Sequence, residues 1–255
     1  MATVAQIFKT LCAYAPLELQ MDFDNSGFLV GRGDREVRRA IIALDVTDDV
    51  IEEAIRRDAQ LIVSHHPLIF QPVRSVSDET PQGRRLLRLI ENGIAVLSMH
   101  TNLDIAEGGV NDTLAGLLKL RNESALDEDG CGRIGLLEQP AELADFLKRC
   151  REALNAPGLR YVDAGRPVFR VAVMGGSGAD SLARAAALGC DTYVTADVKY
   201  HQFQAALDCR LNLIDAGHFS TENPVVYDLR HRLSADFPDL EWIVSEVHGP
   251  IIRFA

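Results

Sequence analysis

The sequence predicts an α/β protein, because short apolar runs alternate with amphipathic segments along most of the chain. The apolar runs lack strict alternation, which is typical of strands in a sheet that helices cover on both faces. Strands are predicted at residues 39–44, 60–64, 94–99, 169–174, 191–195 and 210–214. Helices are predicted at residues 3–14, 48–58, 82–92, 108–119, 140–154, 179–188, 198–208 and 222–235.

Each element follows from its local pattern, taken in chain order. The first segment, MATVAQIFKTLCAYAP, predicts a helix rather than a signal peptide, because Lys9 lies inside its apolar pattern and no basic region precedes it. Val, Ile and Leu then crowd RAIIAL, QLIVS and IAVLSM, which predicts buried strands. The polar, acidic stretch 121–130 has no apolar period and is the best candidate for a domain joint. The runs FRVAVM, DTYVT and RLNLI predict further strands.

Composition limits the class of protein. A chain of 255 residues with 47% hydrophobic and 25% charged residues is typical of one large or two small globular domains. No apolar run approaches the roughly 18 residues of a membrane span, so we expect a cytoplasmic protein with no membrane partner. The five cysteines form no C-x-x-C pair, which indicates neither a disulfide framework nor a thiolate metal site.

The net charge of −11 opposes binding to nucleic acid. Arginines do cluster at 31–39 and 83–88, and two interpretations stay open for them: solvated surface, or a nucleic-acid patch concentrated by oligomerisation. Residues 52–67 and 182–201 each follow the pattern of helix, turn, strand and polar residues with histidine. This echo is consistent with a duplication of one unit, and equally with chance recurrence of a common βα pattern.

Polar clusters follow three of the predicted strands. In open α/β sheets, functional groups collect beyond the carboxyl ends of the strands, because the following loops converge there. We therefore expect the three clusters to carry the function, although each could also be an ordinary polar turn. Their members are Ser64, His65, His66 and Pro67, then His100 and Asp104, and finally Asp215, His218 and Glu222.

The adjacent histidines favour a site for two metal ions. Consecutive side chains of a strand point to opposite faces, but a tight turn before Pro67 can direct both imidazoles toward neighbouring points. Two ions about 3.5–4 Å apart can take one histidine each. Together with carboxylates, such ligands suit two divalent metal ions of Zn, Mn, Fe, Co or Ni. Counted this way, the ligands are His65, His66, Asp104, His218 and Glu222.

His100 remains outside that ligand set. It is interpreted either as a partner that orients a ligating carboxylate or as a proton carrier near a bridging water. The glycine-rich stretch MGGSGAD at 174–180 is interpreted as a plain tight turn or as an anion-binding turn. After the strand at 191–195, the polar residues are either a surface helix start or substrate contacts: Asp197, Lys199 and His201.

The motifs DNSGFLVG, ALDVT, SHHPLIF, HTNLD, GGSG, ADVKYH and DAGHFSTE occur in this order between residues 24 and 222. With these motifs in this order, the chain resembles the family of dinuclear-metal-centre hexameric proteins, also labelled GTP cyclohydrolase I type 2 homologues. The resemblance implies two similar α/β domains with mixed sheets covered by helices, the first completed by the C-terminal segment. The implied domains are 1–125 plus 212–255, and 126–211. It also implies a toroidal homohexamer, a trimer of dimers, whose metal ligands are the five residues named above.

The function expected from these features is metal-dependent hydrolysis by a metal-bridging hydroxide, with a purine nucleotide such as GTP as the substrate class that the family label suggests. Fold alone does not determine function. Two alternatives therefore stay open. One is a metal-handling protein or chaperone without turnover, and the other is a ring scaffold that binds nucleic acid or a regulatory partner.

Overall fold

The computed structural model describes residues 2–254, without the side chains of residues 122 and 123. The strands are β1 Ala2–Thr3, β2 Gly27–Val30, β3 Glu36–Val37, β4 Arg39–Ala43, β5 Leu61–Ser64, β6 Ala95–Ser98, β7 Arg121–Ala125, β8 Arg133–Ala141, β9 Arg160–Val162, β10 Val168–Val173, β11 Thr192–Thr195, β12 Asn212–Asp215 and β13 Glu241–Val244. The α-helices are α1 Val4–Tyr14, α2 Asp48–Arg56, α3 Pro81–Glu91, α4 Thr101–Ile105, α5 Val110–Leu117, α6 Leu143–Ala153, α7 Leu182–Ala187, α8 Tyr200–Asp208, α9 His218–Glu222 and α10 Pro224–Asp236. Short 3-10 helices occupy Leu17–Leu19 and Ala179–Ser181.

The first of two compact units comprises the described residues up to Glu107 together with Val225–Gly249. Its main sheet has the strand order β13-β4-β5-β6-β2. The first four strands are parallel to one another and β2 is antiparallel. Every residue of β5 and β6 is buried, since helices cover the sheet. Its apolar core includes Ile41, Ile51, Ile62, Leu89 and Val96.

The C-terminal segment completes this first sheet, as predicted. Strand β13 pairs in parallel with β4, and Ile243 lies opposite Ile41. Beyond β13, Ser245 Oγ donates to the Glu53 carboxylate over 2.6 Å, and the Glu246 amide donates to it over 3.3 Å. Glu53 is only 1% exposed. The returning segment is therefore held by a buried carboxylate as well as by strand pairing.

The second unit comprises Gly108–Pro224 and the described residues after Gly249. Its sheet has the order β7-β8-β10-β11-β12-β9, with a parallel centre of β10, β11 and β12 and antiparallel strands outside it. Alternate residues of the central strands enter two apolar clusters: Val171 and Val194 belong to one, and Ala172 and Tyr193 to the other. Both faces are thus buried, which explains why the apolar runs do not alternate with polar residues.

The predicted strands and longer helices are confirmed near their predicted bounds. The strands missed by the sequence pattern include β2, β8, β9 and β13, which are the antiparallel or outermost members of the sheets. The helices α4 and α9 were also missed, because one turn and a half of helix is too short to produce an apolar period. Both of these short helices carry residues of the predicted site.

The compact units do not follow the domain boundaries that the sequence suggested, 1–125 plus 212–255 and 126–211. The polar stretch expected to join two domains contains β7, which pairs with β8 in the second sheet. Strand β12 pairs with β11, so residues 212–224 also belong to the second unit. Within residues 2–254, none of the helices combines the length and hydropathy that crossing a bilayer requires.

Replacing Glu53 by Ala is expected to destabilise the first unit, because Ser245 and Glu246 would lose their buried acceptor. We expect a loss of about 2–4 kcal/mol in the free energy of unfolding. Urea denaturation followed by tryptophan fluorescence measures it, since the single tryptophan, Trp242, lies in β13.

The matched control is Glu52→Ala. Glu52 neighbours Glu53, is exposed and pairs only at the surface with Arg88, so its loss is expected to cost less than about 1 kcal/mol. Equal losses in the two variants would contradict the role given to the buried carboxylate.

Candidate metal centre

The histidines of the first unit lie where β5 and β6 end side by side. Ser64 and Ser98 are the last residues of these strands, lie opposite each other in the parallel register, and have their Oγ atoms 2.7 Å apart. His65 follows β5 directly and is fully buried. Its Nδ1 lies 2.8 Å from the carbonyl oxygen of Met99, the residue after β6. The aligned strand ends thereby bring His65 beside the segment that carries His100.

A bend directly after β5 places His65 and His66 side by side, where the sequence analysis expected a tight turn. The His65 amide donates to the Ala43 carbonyl over 3.3 Å, and the His66 amide donates to the Leu44 carbonyl over 2.9 Å. Ser64 Oγ donates back to the His66 carbonyl over 2.9 Å. The two imidazole rings are tilted by 43° with centroids 5.0 Å apart. The backbone of both residues is therefore fixed at the end of β4.

Four of the predicted residues come together in this unit. Ligand atoms of His65, His66 and His100 all lie within 4.8 Å of one another. Asp104 lies on α4, which begins immediately after His100, and its Oδ1 is 3.7 Å from His65 Nε2. One-and-a-half turns of helix thus carry the carboxylate back to the histidines.

Each histidine of this cluster has its Nδ1 at an acceptor oxygen. His66 Nδ1 lies 2.7 Å from Asp45 Oδ1, and His65 Nδ1 contacts the Met99 carbonyl described above. A carbonyl or an ionised carboxylate can only accept a hydrogen bond, so Nδ1 carries the hydrogen in each case. That leaves Nε2 as the nitrogen that can offer a lone pair to a cation. Asp45 lies in the motif ALDVT but was not among the predicted site residues.

Asp24, whose side chain is fully buried, accepts the corresponding hydrogen bond from His100. Its Oδ1 lies 2.7 Å from His100 Nδ1, and its Oδ2 accepts from the Thr101 amide and from Ser26 Oγ, each over 3.0 Å. Burial by itself raises the pKa of Asp24, but the hydrogen bonds from His100 and Thr101 outweigh it and hold that pKa well below its usual range. Asp24 therefore stays ionised and fixes the direction of the His100 ring.

The second unit brings His218 and Glu222 together at the ends of its own parallel strands. Thr195 and Asp215, the last residues of β11 and β12, lie opposite each other. Asp197 follows β11, and its Oδ2 lies 2.8 Å from His218 Nδ1. His218 Nε2 lies 3.0 Å from Glu222 Oε2, one turn along α9.

Two carboxylates therefore flank the His218 imidazole. Burial by itself lowers the pKa of His218, but the hydrogen bonds and charges of Glu222 and Asp197 outweigh burial and raise that pKa to about 9. A cation that binds at Nε2 must displace a proton held between His218 and Glu222, so proton and metal compete for one nitrogen.

The glycine-rich turn at 174–180 is a turn whose amides bond within the second unit. Three of its glycine amides donate to side-chain oxygens of neighbouring elements, which favours the plain-turn interpretation over anion binding. The pairs are Gly175 with Asn111 over 2.9 Å, Gly176 with Thr221 over 3.0 Å and Gly178 with Thr195 over 3.1 Å.

Of the other polar residues after β11, only Asp197 contacts a predicted ligand. Lys199 and His201 are exposed, and the Lys199 amide donates to the Gln202 side chain over 2.8 Å at the start of α8. These two residues fit the interpretation of a surface helix start.

The residues of both units suit a divalent cation of the Zn, Mn, Fe, Co or Ni class. The donor set mixes imidazole nitrogens with carboxylate oxygens. All four histidines are held at Nδ1 by an oxygen, which is the arrangement that orients metal-ligating histidines in proteins.

Comparison with known proteins assigns the family. The chain matches the family described as Duf34/NIF3 (NGG1p interacting factor 3) over residues 2–250. The chain belongs to this family. A GTP cyclohydrolase 1 type 2 homolog of Clostridium acetobutylicum is 36% identical over 237 residues, which are 88% of each chain. The Streptomyces coelicolor protein of the same description is 36% identical over 88% of this chain and 83% of its own.

Solved structures confirm the predicted fold class. A hypothetical protein of Staphylococcus aureus superposes with a TM-score of 0.91 and 28% identity, covering 99% of both chains. Reduced HcgD from Methanocaldococcus jannaschii superposes with a TM-score of 0.85 and 31% identity, covering 96% of this chain and 98% of its own. The resemblance drawn from the motifs is therefore confirmed.

In protein treated with a chelator, the His218 imidazole is expected to titrate near pH 9. Since this pKa is raised above 6.5, the ion pair contributes stability fully below about pH 6.5, and that contribution is lost as pH rises through about 9. Asp197→Asn is expected to lower the pKa of His218, measured by NMR titration of the ring Cε1 proton. Asp180→Asn, in the same unit, is the control and is expected to leave it unchanged. Equal pKa values in the wild type and in Asp197→Asn would contradict this account.

Gly176→Ala is expected to reduce the metal content of the purified protein. A Cβ at Gly176, where φ is +63°, would lie 2.0 Å from Glu222 Oε1 and 3.3 Å from His218 Cε1. Gly189→Ala is a matched control, because φ there is +78° and no atom lies within 4 Å of the added carbon. Both variants carry similar backbone strain, so only Gly176→Ala is expected to lose metal in elemental analysis. A parallel loss in Gly189→Ala would contradict the displacement of Glu222.

Proposed function

We propose that this protein is a metal-dependent hydrolase that binds two divalent metal ions per chain. The proposed ligands are His65, His66, Asp104, His218 and Glu222. One observation carries the proposal. Each proposed histidine ligand donates a hydrogen bond from Nδ1 to a carbonyl or carboxylate oxygen, as metal-ligating histidines do. The motif resemblance supports the same five positions, and the family assignment supports the resemblance.

The number of donors is suited to two ions. Three histidines supply three contacts, and two carboxylates supply up to four more if each is bidentate or bridging. Solvent fills the remaining positions of two ions with about four to five ligands each and leaves room for substrate. The mixed nitrogen and oxygen donors favour Zn, Mn, Fe, Co or Ni.

Proton transfer is assigned to His100. When bound, a pair of divalent ions supplies a water of lowered pKa and positive charge for a developing oxyanion. Asp24 holds the Nδ1 hydrogen of His100, and His100 Nε2 then accepts a proton from the nucleophile or returns it to the leaving group. In this proposal Asp24 acts through His100 and sets its tautomer.

The names of the relatives support a substrate class. Those matched above are described as GTP cyclohydrolase 1 type 2 homologs, so the first substrate to test is the purine ring of GTP, followed by generic phosphoesters. We extend the proposal to a toroidal homohexamer built as a trimer of dimers, as the motif resemblance implies, and to a cytoplasmic location, as the sequence analysis expects. Analytical ultracentrifugation tests the hexamer directly.

His65→Ala and Glu222→Gln are expected to lower the metal content from about two ions per chain. Elemental analysis after anaerobic purification measures it. Glu222→Gln is included because His65 is fully buried and its loss can impair folding. His201→Ala is the matched control, since His201 is exposed and lies outside the ligand set, and it is expected to keep wild-type metal content. One ion per chain or fewer in the fully loaded wild type would contradict the proposal.

Activity separates the hydrolase from the metal-handling alternative. His100→Gln and Asp24→Asn are expected to keep their metal and to lower kcat about 10²- to 10⁴-fold, the usual share of a general acid or base. If fully loaded wild type turns over neither GTP nor phosphoesters, yet transfers its metal to an acceptor apoprotein, the hydrolase is contradicted and metal handling is favoured. Salt-dependent binding of single-stranded DNA would instead favour the scaffold.

A further inference from the structure

Two phenylalanine rings lie exposed in the first unit beside the histidine cluster. Phe23 is 65% exposed and Phe70 is 40% exposed. Their ring centroids are 6.4 Å apart, with the planes at 61°. The two residues are distant in sequence, so an edge-to-face contact between them is a product of the fold. Single exposed apolar residues are common at protein surfaces, but a packed pair of aromatic rings beside a polar site is not explained in that way.

The backbone on which these rings stand is held in place. Asp24, the neighbour of Phe23, is buried and accepts hydrogen bonds from His100 and Thr101. Asn25 Nδ2 donates to the carbonyl of Ile69, the neighbour of Phe70, over 2.6 Å. The two segments are therefore tied to each other and to α4. A surface ordered before binding loses less conformational entropy when a ligand arrives.

The phenylalanine pair continues directly into the histidine cluster. The ring centroid of Phe70 lies 6.0 Å from that of His100, with the planes nearly perpendicular at 88°. His100 in turn lies 5.1 Å from His65 and 5.5 Å from His66 between ring centroids. A flat group placed against Phe23 and Phe70 would thus lie next to His100, the residue to which proton transfer is assigned.

We propose that Phe23 and Phe70 form a binding subsite for a flat heteroaromatic ring of the substrate. This inference rests on the proposed function, since it places the ring beside that reacting centre. Exposed aromatic side chains bind such rings by offset stacking or by edge-to-face contact, and the contact tolerates different ring types. An aliphatic substrate would gain only apolar area from the same surface. The substrate class is therefore one with a planar heteroaromatic ring such as a nucleobase.

The test compares guanosine 5′-monophosphate with ribose 5-phosphate, which has the same sugar phosphate and no ring. Both are titrated calorimetrically into metal-loaded and into chelator-treated protein. Wild type is expected to bind the nucleotide at least about tenfold more tightly than the sugar phosphate. Phe23→Ala and Phe70→Ala are each expected to weaken nucleotide binding about 5- to 100-fold, the range typical of base stacking, and to leave ribose 5-phosphate unaffected.

Three further variants separate stacking from other roles. Phe23→Leu keeps apolar area but removes the ring, and it is expected to weaken nucleotide binding nearly as much as Phe23→Ala does. Phe23→Trp keeps an aromatic ring and is expected to bind the nucleotide about as tightly as wild type. Tyr200→Ala removes a 78% exposed aromatic side chain of the second unit and is expected to change nothing.

Several results would overturn the subsite. One is nucleotide binding unaffected by both alanine variants, and another is equal binding of the two probes by wild type. A loss of oligomers in Phe23→Ala, with nucleotide binding unchanged, would assign these rings to a contact with a second copy of the chain. Failure of the proposed function is distinguishable, because it would appear as missing metal or missing turnover while ring binding by the chelator-treated protein persists.

Discussion

The hydrogen bond at Nδ1 of each histidine is the interaction on which the candidate centre depends. In the first unit the acceptors are the Met99 carbonyl, Asp45 and Asp24, and in the second unit the acceptor is Asp197, with donor–acceptor distances of 2.7–2.8 Å. When Nδ1 of an imidazole ring is held by a hydrogen bond, the direction of the lone pair at Nε2 is fixed as well. The ordering of the imidazoles is therefore completed during folding, and a ligand arriving at Nε2 meets groups that are already oriented.

That ordering is tied to the C-terminal return of the chain. Glu53 accepts hydrogen bonds from the segment after β13, and β13 pairs with β4. At the end of β4, the carbonyls of Ala43 and Leu44 accept hydrogen bonds from the amides of His65 and His66 and so fix the backbone there. A buried carboxylate on α2 thereby supports β13, the partner of the strand at whose end the two histidine amides are held.

Asp24 combines two roles through one set of hydrogen bonds. It orients His100, and it fixes the loop that presents Phe23 next to Phe70. Burying a carboxylate is costly unless several donors satisfy it, and here His100, Thr101 and Ser26 do so. The same interaction thus determines the direction of a proposed proton carrier and the position of the aromatic surface beside it.

The sequence by itself determined the central strands and where their polar ends would fall. Apolar runs of four to six residues are long enough to predict strands. Because the carboxyl ends of parallel strands lie at one edge of a sheet, the residues that follow them could be grouped in advance: His65, His66, His100 and Asp104. His218 and Glu222 were likewise placed in one polar cluster from the sequence, but the helix α9 that brings them into contact was not predicted.

Only the tertiary structure decided which acidic residues support the histidines. The chain has 37 Asp and Glu residues. Asp24, Asp45 and Asp197 lie in the motifs DNSGFLVG, ALDVT and ADVKYH, but nothing local shows that each would hold a histidine ring. Their roles arise from strand register and loop packing, which bring together residues 21 to 76 positions apart. The outer strands and the short helices α4 and α9 also required the fold, because their hydrogen bonds and packing partners come from neighbouring elements rather than from a periodic pattern of their own.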